Sequence, residues 1–250
     1  MIHYHGCPLS GPNDLSGRFY RGRHAMVSFA YPKHLPIVAE VAKTFVLDNG
    51  AFSAWTKGDP LDTQGYYAWV DEWKHHPGFQ WALIPDVIDG DEKENDRLIF
   101  DQTGGGWPAS LQGYGVPVWH LHESLGRLAR LAGAFRTIAL GSSGKYATPG
   151  TESWWQRIDE AFGRLTAPGH PPRVRIHGLR MLSREIFPHL PFASADSTNA
   201  AQNAGSVQRF GMYPAPEAWQ RANAIADRIE SENSAAMWMP RARTAEALFA

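Results

Sequence analysis

The chain has 250 residues, 43% of them hydrophobic and 20% charged, with a formal net charge of −1. This composition excludes a disordered chain, and no apolar run approaches the roughly 18–20 residues of a membrane-crossing helix. The single cysteine, Cys7, excludes an internal disulfide and a multi-cysteine zinc site, and it suits a reducing cytoplasm.

Eight short apolar runs follow one another along the chain. They are IHYH (2–5), AMVSFA (25–30), TFVLD (44–48), QWALIPD (80–86), VPVWHLH (116–122), TIALG (137–141), RVRIHG (173–178) and FASAD (192–196). Most are continuous rather than alternating, as parallel strands covered on both faces are. Amphipathic stretches lie between most of them. Helices are expected over 34–43, over 63–75 with Asp62 or Thr63 as cap, and over 91–102. More are expected over 124–134 behind Ser124, over 151–165 behind Thr151, near 183–187, over 198–204 and over 216–231. The first connection, 7–24, reads as an irregular loop, and 232–250 as a terminal helix or a partly disordered tail. Strand and helix alternating eight times predict an α/β fold, a single-domain (β/α)8 TIM barrel over residues 1–231. The rival is an open doubly wound sheet. It would carry a G-x-G-x-x-G turn after the first strand, and none is present.

Such barrels place their chemistry at the carboxy-terminal ends of the strands. The ends of these runs carry His5, Asp48, Asp86, His120 and His122, Gly141, His177 and Asp196. Asp48 runs into Asn49 and Gly50, so it serves either as an active-site acid or as a turn cap. Asp86, with Asp89 and Asp91 after it, would hold a ligand or a divalent cation, or cap the next helix. Asp196 is crowded by small residues, which leaves room for a substrate beside a carboxylate; capping is again the plain alternative. His120 and His122 form H-x-H, as do His3 and His5. Together the four suggest a metal-dependent hydrolase. Arg18, Arg21 and Arg23, and the group Arg173, Arg175, Arg180 and Arg184, would hold phosphates or be solvated surface. Most of the ten tryptophans read as core or rim packing, with one or two left to stack on a ring.

The order of these motifs resembles the tRNA-guanine transglycosylase (queuine tRNA-ribosyltransferase) superfamily. Its DpdA-like branch, found in phages and bacteria, inserts 7-deazaguanines into DNA. DNGAF (48–52) resembles the family's early Asp-Ser-Gly-Gly segment, IPD (84–86) its base-binding aspartate, and VWHLH (118–122) its polar strand end. ALGSSG (139–144) resembles its glycine-rich strand end, RIHGLRM (175–181) its short Gly-containing strand, and ASADST (193–198) its nucleophilic aspartate. The series covers about residues 44–205. The zinc site of the tRNA enzymes, three cysteines and a histidine, has no counterpart here, and the chain is shorter than those enzymes; both favour DNA over tRNA.

The resemblance implies Asp196 as nucleophile and Asp48 as proton-transfer group, without a cofactor or a metal. It implies a substrate site of Asp86, His120, His122, Gly141, Ser142, His177, Phe52 and Asn49. The phosphate contacts would fall to Arg18, Arg21, Arg23 and Arg180. The implied partners are DNA with a flipped or single-stranded guanosine, a 7-deazaguanine base of the preQ0 type, and accessory proteins, with no membrane. The remaining alternatives are the metal-dependent hydrolase, action on tRNA, and a nucleic-acid-binding barrel without catalysis.

Overall fold

Each apolar run forms a strand, and the strands lie parallel in one sheet. A computed structural model describes residues 1–9, 13–101, 103–205, 211 and 215–241. The first half runs β1 (Ile2–Gly6), α1 (Asn13–Tyr20), β2 (His24–Ser28), α2 (Leu35–Val41), β3 (Thr44–Asp48), α3 (Ala51–Lys57), α4 (Thr63–Trp73), β4 (Phe79–Leu83) and α5 (Glu92–Phe100). It continues β5 (Gly115–Val116), β6 (Val118–His120), α6 (Leu125–Ala134), β7 (Thr137–Gly141), α7 (Glu152–Leu165), β8 (Arg175–Gly178), β9 (Ser194–Ser197), α8 (Asn199–Asn203) and α9 (Ala218–Glu230).

The strand order is β5-β4-β3-β2-β1-β9-β8-β7-β6, so the sheet curls until its two ends are chain neighbours. Among the described residues there are nine strands, not the eight expected, because the fifth run is divided at Pro117. Proline has no N–H to give the ladder. Val116 O accepts from Ile84 N on one side, and Pro117 O accepts from Ala139 N on the other, both at 2.9 Å. The barrel is thereby nearly closed.

Period-two alternation sorts the side chains into two cores. Tyr4, Met26, Val46, Leu83, Val116, Val118 and Ala139 pack together inside the barrel. Ala25, Val27, Phe45, Leu47, Trp119, Ile138, Leu140, Ile176 and Ala195 belong to the larger core between sheet and helices. The expected caps are in place. Asp62, Ser124 and Thr151 accept from Gly65 N, Arg127 N and Trp154 N, and Asp91 caps α5 through Glu94 N.

Two expectations need correction, and two further segments differ from or add to the pattern. The connection 7–24 holds α1 rather than only loop. Residues 183–187 form no α-helix; a single 3-10 turn follows at Phe187–His189. The seven-residue α3 was not foreseen, being too short to show a period. In the tail, 232–241 contains no helix, and Trp238 lies on α7, its ring stacked on Phe162 and its Nε1 3.3 Å from Asp159 Oδ1. Residues 242–250 lie outside the described residues. No helix among the described residues is long and apolar enough to cross a membrane.

Candidate active site

Two residues beyond five members of the inner apolar layer, and likewise along β9, the same strand face carries a different chemistry. Tyr4 is followed by Gly6, Met26 by Ser28, Val46 by Asp48, Val118 by His120, Ala139 by Gly141 and Ser194 by Asp196. These six line one cavity of about 550 Å³ at the carboxy-terminal mouth of the barrel, together with Asn49, Phe52, Asp86, Ser142 and Arg180. A volume of this size is in the range of small-molecule sites, roughly 300–1,000 Å³.

Asp48 opens onto the cavity and is enclosed on its other sides. Burial is the main cause that raises its carboxyl to about 6, aided by the charges of Asp196 and Asp86; bonds from the Ser28 hydroxyl and Gly50 N oppose the rise. Asn49, 1% exposed, ties two strand ends together. Its Nδ2 donates to Ile84 O (3.0 Å) and to Asp86 Oδ1 (2.7 Å), while its Oδ1 accepts from Ala51 N. Asn49 therefore aims Asp86 as well as lining the cavity. His120 Nε2 lies 2.9 Å from Asp86 Oδ2. Gly141 faces His120: a Cβ there would lie 3.0 Å from His120 Nδ1. Ser142 accepts from Trp154 Nε1 at 2.9 Å.

Asp196 is held from one side. Its Oδ1 accepts from Arg180 N (2.8 Å) and lies 3.3 Å from His177 Nε2. His177 is fully buried beneath it and is itself fixed by Ser194 Oγ at 2.8 Å. No hydrogen bond to Oδ2 occurs among the described residues, so this oxygen is the one available to a ligand. Arg180 adopts φ +58°, a left-handed conformation that is rare and strained for a side-chain-bearing residue. That backbone turn presents its N–H to the carboxylate.

Other expected site residues stand elsewhere. His122 is exposed and spans two loops, through Ser143 Oγ (2.7 Å) and Gly90 O (3.2 Å), and does not line the cavity. His3 and His5 are displaced from the mouth because odd residues of β1 face outward: His3 packs on Phe187 and His5 bonds Glu230. The four-histidine cluster is thus not assembled, and among the described residues no three His, Cys, Asp or Glu side chains converge as a metal site. Arg21 and Arg23 stand just before β2, at the opposite end of the barrel from the cavity, where Arg23 pairs with Asp227 and Glu230. Arg18 lies on α1, outside the barrel, and stacks on Trp219 at the start of α9; none of the three lines the cavity. Of the expected phosphate contacts only Arg180 reaches the mouth.

The sequence reading missed a supporting network. Glu123 is buried; its Oε2 accepts from His120 N (2.8 Å) and from Arg127 Nη1 (2.5 Å), and its Oε1 accepts from Asn95 Nδ2 (3.0 Å). Asn95 in turn grips Val87 through both its N and its O, next to Asp86. The signal was Glu123 and Arg127 four apart at a helix start. Compared with family models, curated proteins and solved structures, the chain has no significant match.

Proposed function

We propose that the protein is a glycosyltransferase that exchanges guanine in DNA for a 7-deazaguanine of the preQ0 type, through a covalent aspartyl-glycosyl intermediate on a (β/α)8 barrel whose fifth strand is interrupted at Pro117. The observation that carries the reading is a pair of unlike carboxylates in one cavity. Asp196 is anchored through a single oxygen, and Asp48 is raised to about 6. A carboxyl that burial raises can hold a proton to give, and a carboxylate with one oxygen unbonded and turned to the same cavity can attack, so the two divide naturally into proton donor and nucleophile.

In this scheme Asp196 Oδ2 attacks C1′ of the guanosine nucleotide. The C1′–N9 bond breaks, its electron pair leaves with the base, and the proton of Asp48 neutralises guanine. An ester joins Asp196 to C1′. The incoming 7-deazaguanine gives its N9 proton to the Asp48 carboxylate, its N9 bonds C1′, and Asp196 is released. Asp86, held by Asn49 and lying beside His120, offers a carboxylate to the N–H donors on the purine edge. Phe52 supplies a flat apolar wall. C1′ cannot be reached inside a stacked duplex, so the nucleotide is flipped or single-stranded. The choice of DNA over tRNA rests on the Asp-Ser-Thr resemblance and on the missing three-cysteine zinc pattern.

The test is incorporation of radiolabelled guanine or preQ0 into DNA, with tRNA in a parallel arm. Wild type incorporates label into DNA and leaves a denaturation-resistant protein–DNA adduct; Asp196→Ala does neither. Absence of label from both nucleic acids defeats the proposal, and label in tRNA alone corrects its substrate.

A further inference from the structure

Among the described residues six large hydrophobic side chains are exposed; Tyr31 at 38% and Phe52 at 42% line the cavity, and Trp55 at 49% stands beside Phe52. Phe52 and Trp55 belong to α3, their rings 5.7 Å apart. The Phe52 ring is covered by the Arg180 guanidinium, whose Cζ lies 4.1 Å from the ring centroid. The sheet order gives this contact its meaning. β2, β1 and β9 separate β3 from β8 on one side, and β4, the divided fifth strand and β7 on the other. The loops after β3 and β8 therefore come from opposite sides of the barrel, and Arg180 and Phe52 meet across its mouth.

One half of the contact is built to move and the other to stay. α3 carries glycines in the left-handed region at each end, Gly50 at φ +79° and Gly58 at φ +73°, and only Ala51 of its seven residues is buried. Glycine occupies that region without penalty and serves as a swivel. Behind the helix lies a second cavity of about 190 Å³, bounded by Ala54, Lys57, Pro60 and Leu61, which gives it somewhere to go. On the other side, Arg180 holds its strained backbone by the bond to Asp196.

We infer that the Arg180–Phe52 contact is a latch over the mouth, opened when a phosphodiester of a nucleotide strand draws the guanidinium off the ring. This rests on the proposed action on a nucleic acid. A guanidinium prefers a phosphate, which it meets with two parallel hydrogen bonds, to an aromatic face. Release of the ring frees α3 to swing on its glycines and admit the nucleotide. The same Arg180 stays joined to Asp196 through its backbone, so phosphate capture and placement of the nucleophile are mechanically linked.

Hydrogen exchange of the amides of 51–57 tests the latch in two arms. Without ligand, Arg180→Gln and Phe52→Leu each raise exchange in this segment by roughly two- to thirtyfold, the span of an exposed to a desolvated cation–π contact. Phe52→Leu leaves the backbone beside Asp196 untouched, so agreement of the two assigns the effect to the contact. Unchanged exchange in both variants overturns the latch. In the second arm a single-stranded, guanosine-containing oligodeoxynucleotide is added. Wild type then reaches the exchange of the variants, and Arg180→Gln binds the oligonucleotide more weakly and with a shallower salt dependence. Base incorporation is measured alongside. Incorporation with 51–57 still protected overturns the latch and keeps the transglycosylase. Release of 51–57 without incorporation keeps the latch and overturns the transglycosylase. An oligonucleotide that neither binds nor releases the segment overturns the phosphate trigger.

Discussion

Asp48 is a carboxylate kept from its usual behaviour by the walls around it, and two measurements follow from that. Burial raises it to about 6, so at pH 7 roughly a tenth of the molecules hold the proton that a departing base would require in the proposed exchange. In single-turnover adduct formation the rate falls as pH rises through about 6. Asp48→Asn removes this limb and lowers the rate by roughly 10²–10⁴-fold, the usual worth of general acid catalysis. Stability moves in the same sense. The folded state binds this proton more tightly than the unfolded chain does, so the cost of ionising Asp48 grows as pH rises from 3.8 through about 6 and is constant above. Urea unfolding shows Asp48→Asn gaining stability over wild type at pH 7.5 relative to pH 4. A gain that is the same at both values shows that the carboxyl is not perturbed. Asp48 and Asp196 were legible in the sequence because an apolar run ending in an aspartate is unusual, and period two alone puts that aspartate above the inner core. The roles of Asn49 and Gly141 were not legible, because Ile84, Asp86 and His120, the groups they meet, are joined to them only by the curling of the sheet.

Among the elements, β6 and the start of α6 depend most on partners the sequence does not reveal. Glu123 sits where His120, Asn95 and Arg127 meet, and Arg127 continues to Asp96 and to Val118 O. Two of these links end beside the Asp86–His120 contact. Glu123→Ala leaves a buried guanidinium short of its counter-charge and costs about 3–5 kcal/mol in denaturant unfolding. A loss below about 1 kcal/mol would show that Asp96 and Val118 suffice for Arg127. The same elements show where pattern reading stops. H-x-H guarantees that two histidines share a strand face but is silent about which face. On β1 that face is outward, toward α9 and Phe187. At the end of β6, His120 points into the cavity while His122, already past the strand, turns to Ser143. Pro117 could be read as a strand-breaker only with Gly115–Val116 and Val118–His120 seen pairing on different sides.

Taken as a whole, the barrel is tied at its lower end by ionic bonds between first and last elements. Glu230 of α9 accepts from His5 Nε2 at 2.8 Å and pairs with Arg23 at 2.5 Å. Burial alone would raise its carboxyl, but the bonds from His5 and Arg23 outweigh this and hold it down to about 2. A depressed carboxyl stabilises the fold above its unfolded value of 4.5, and the benefit is lost as pH falls from there through about 2. Thermal melts of Glu230→Gln thus lie below wild type at pH 7 and converge with it near pH 2; an offset at pH 2 equal to that at pH 7 contradicts the assignment. Eight-fold alternation made the barrel legible, since few folds use that many parallel strands with a helix between most of them. These cross-barrel ties were hidden, because nothing near His5 in the chain points to a residue 225 positions away.

The register of the ring has a consequence for biosynthesis. β1 pairs with β2 within some twenty residues, but its other edge waits for β9, where Ile2 meets Ser194. Asp196 arrives on that same closing strand, and the loop that holds its Oδ1 arrives just before it. A nascent chain stalled before β9 therefore has an open sheet edge and the aspartates of β3 and of the loop after β4, but not Asp196. Asp48 and Asp196 come to share one cavity only as the circle shuts, so under the proposed exchange an incomplete polypeptide would carry no reactive pair.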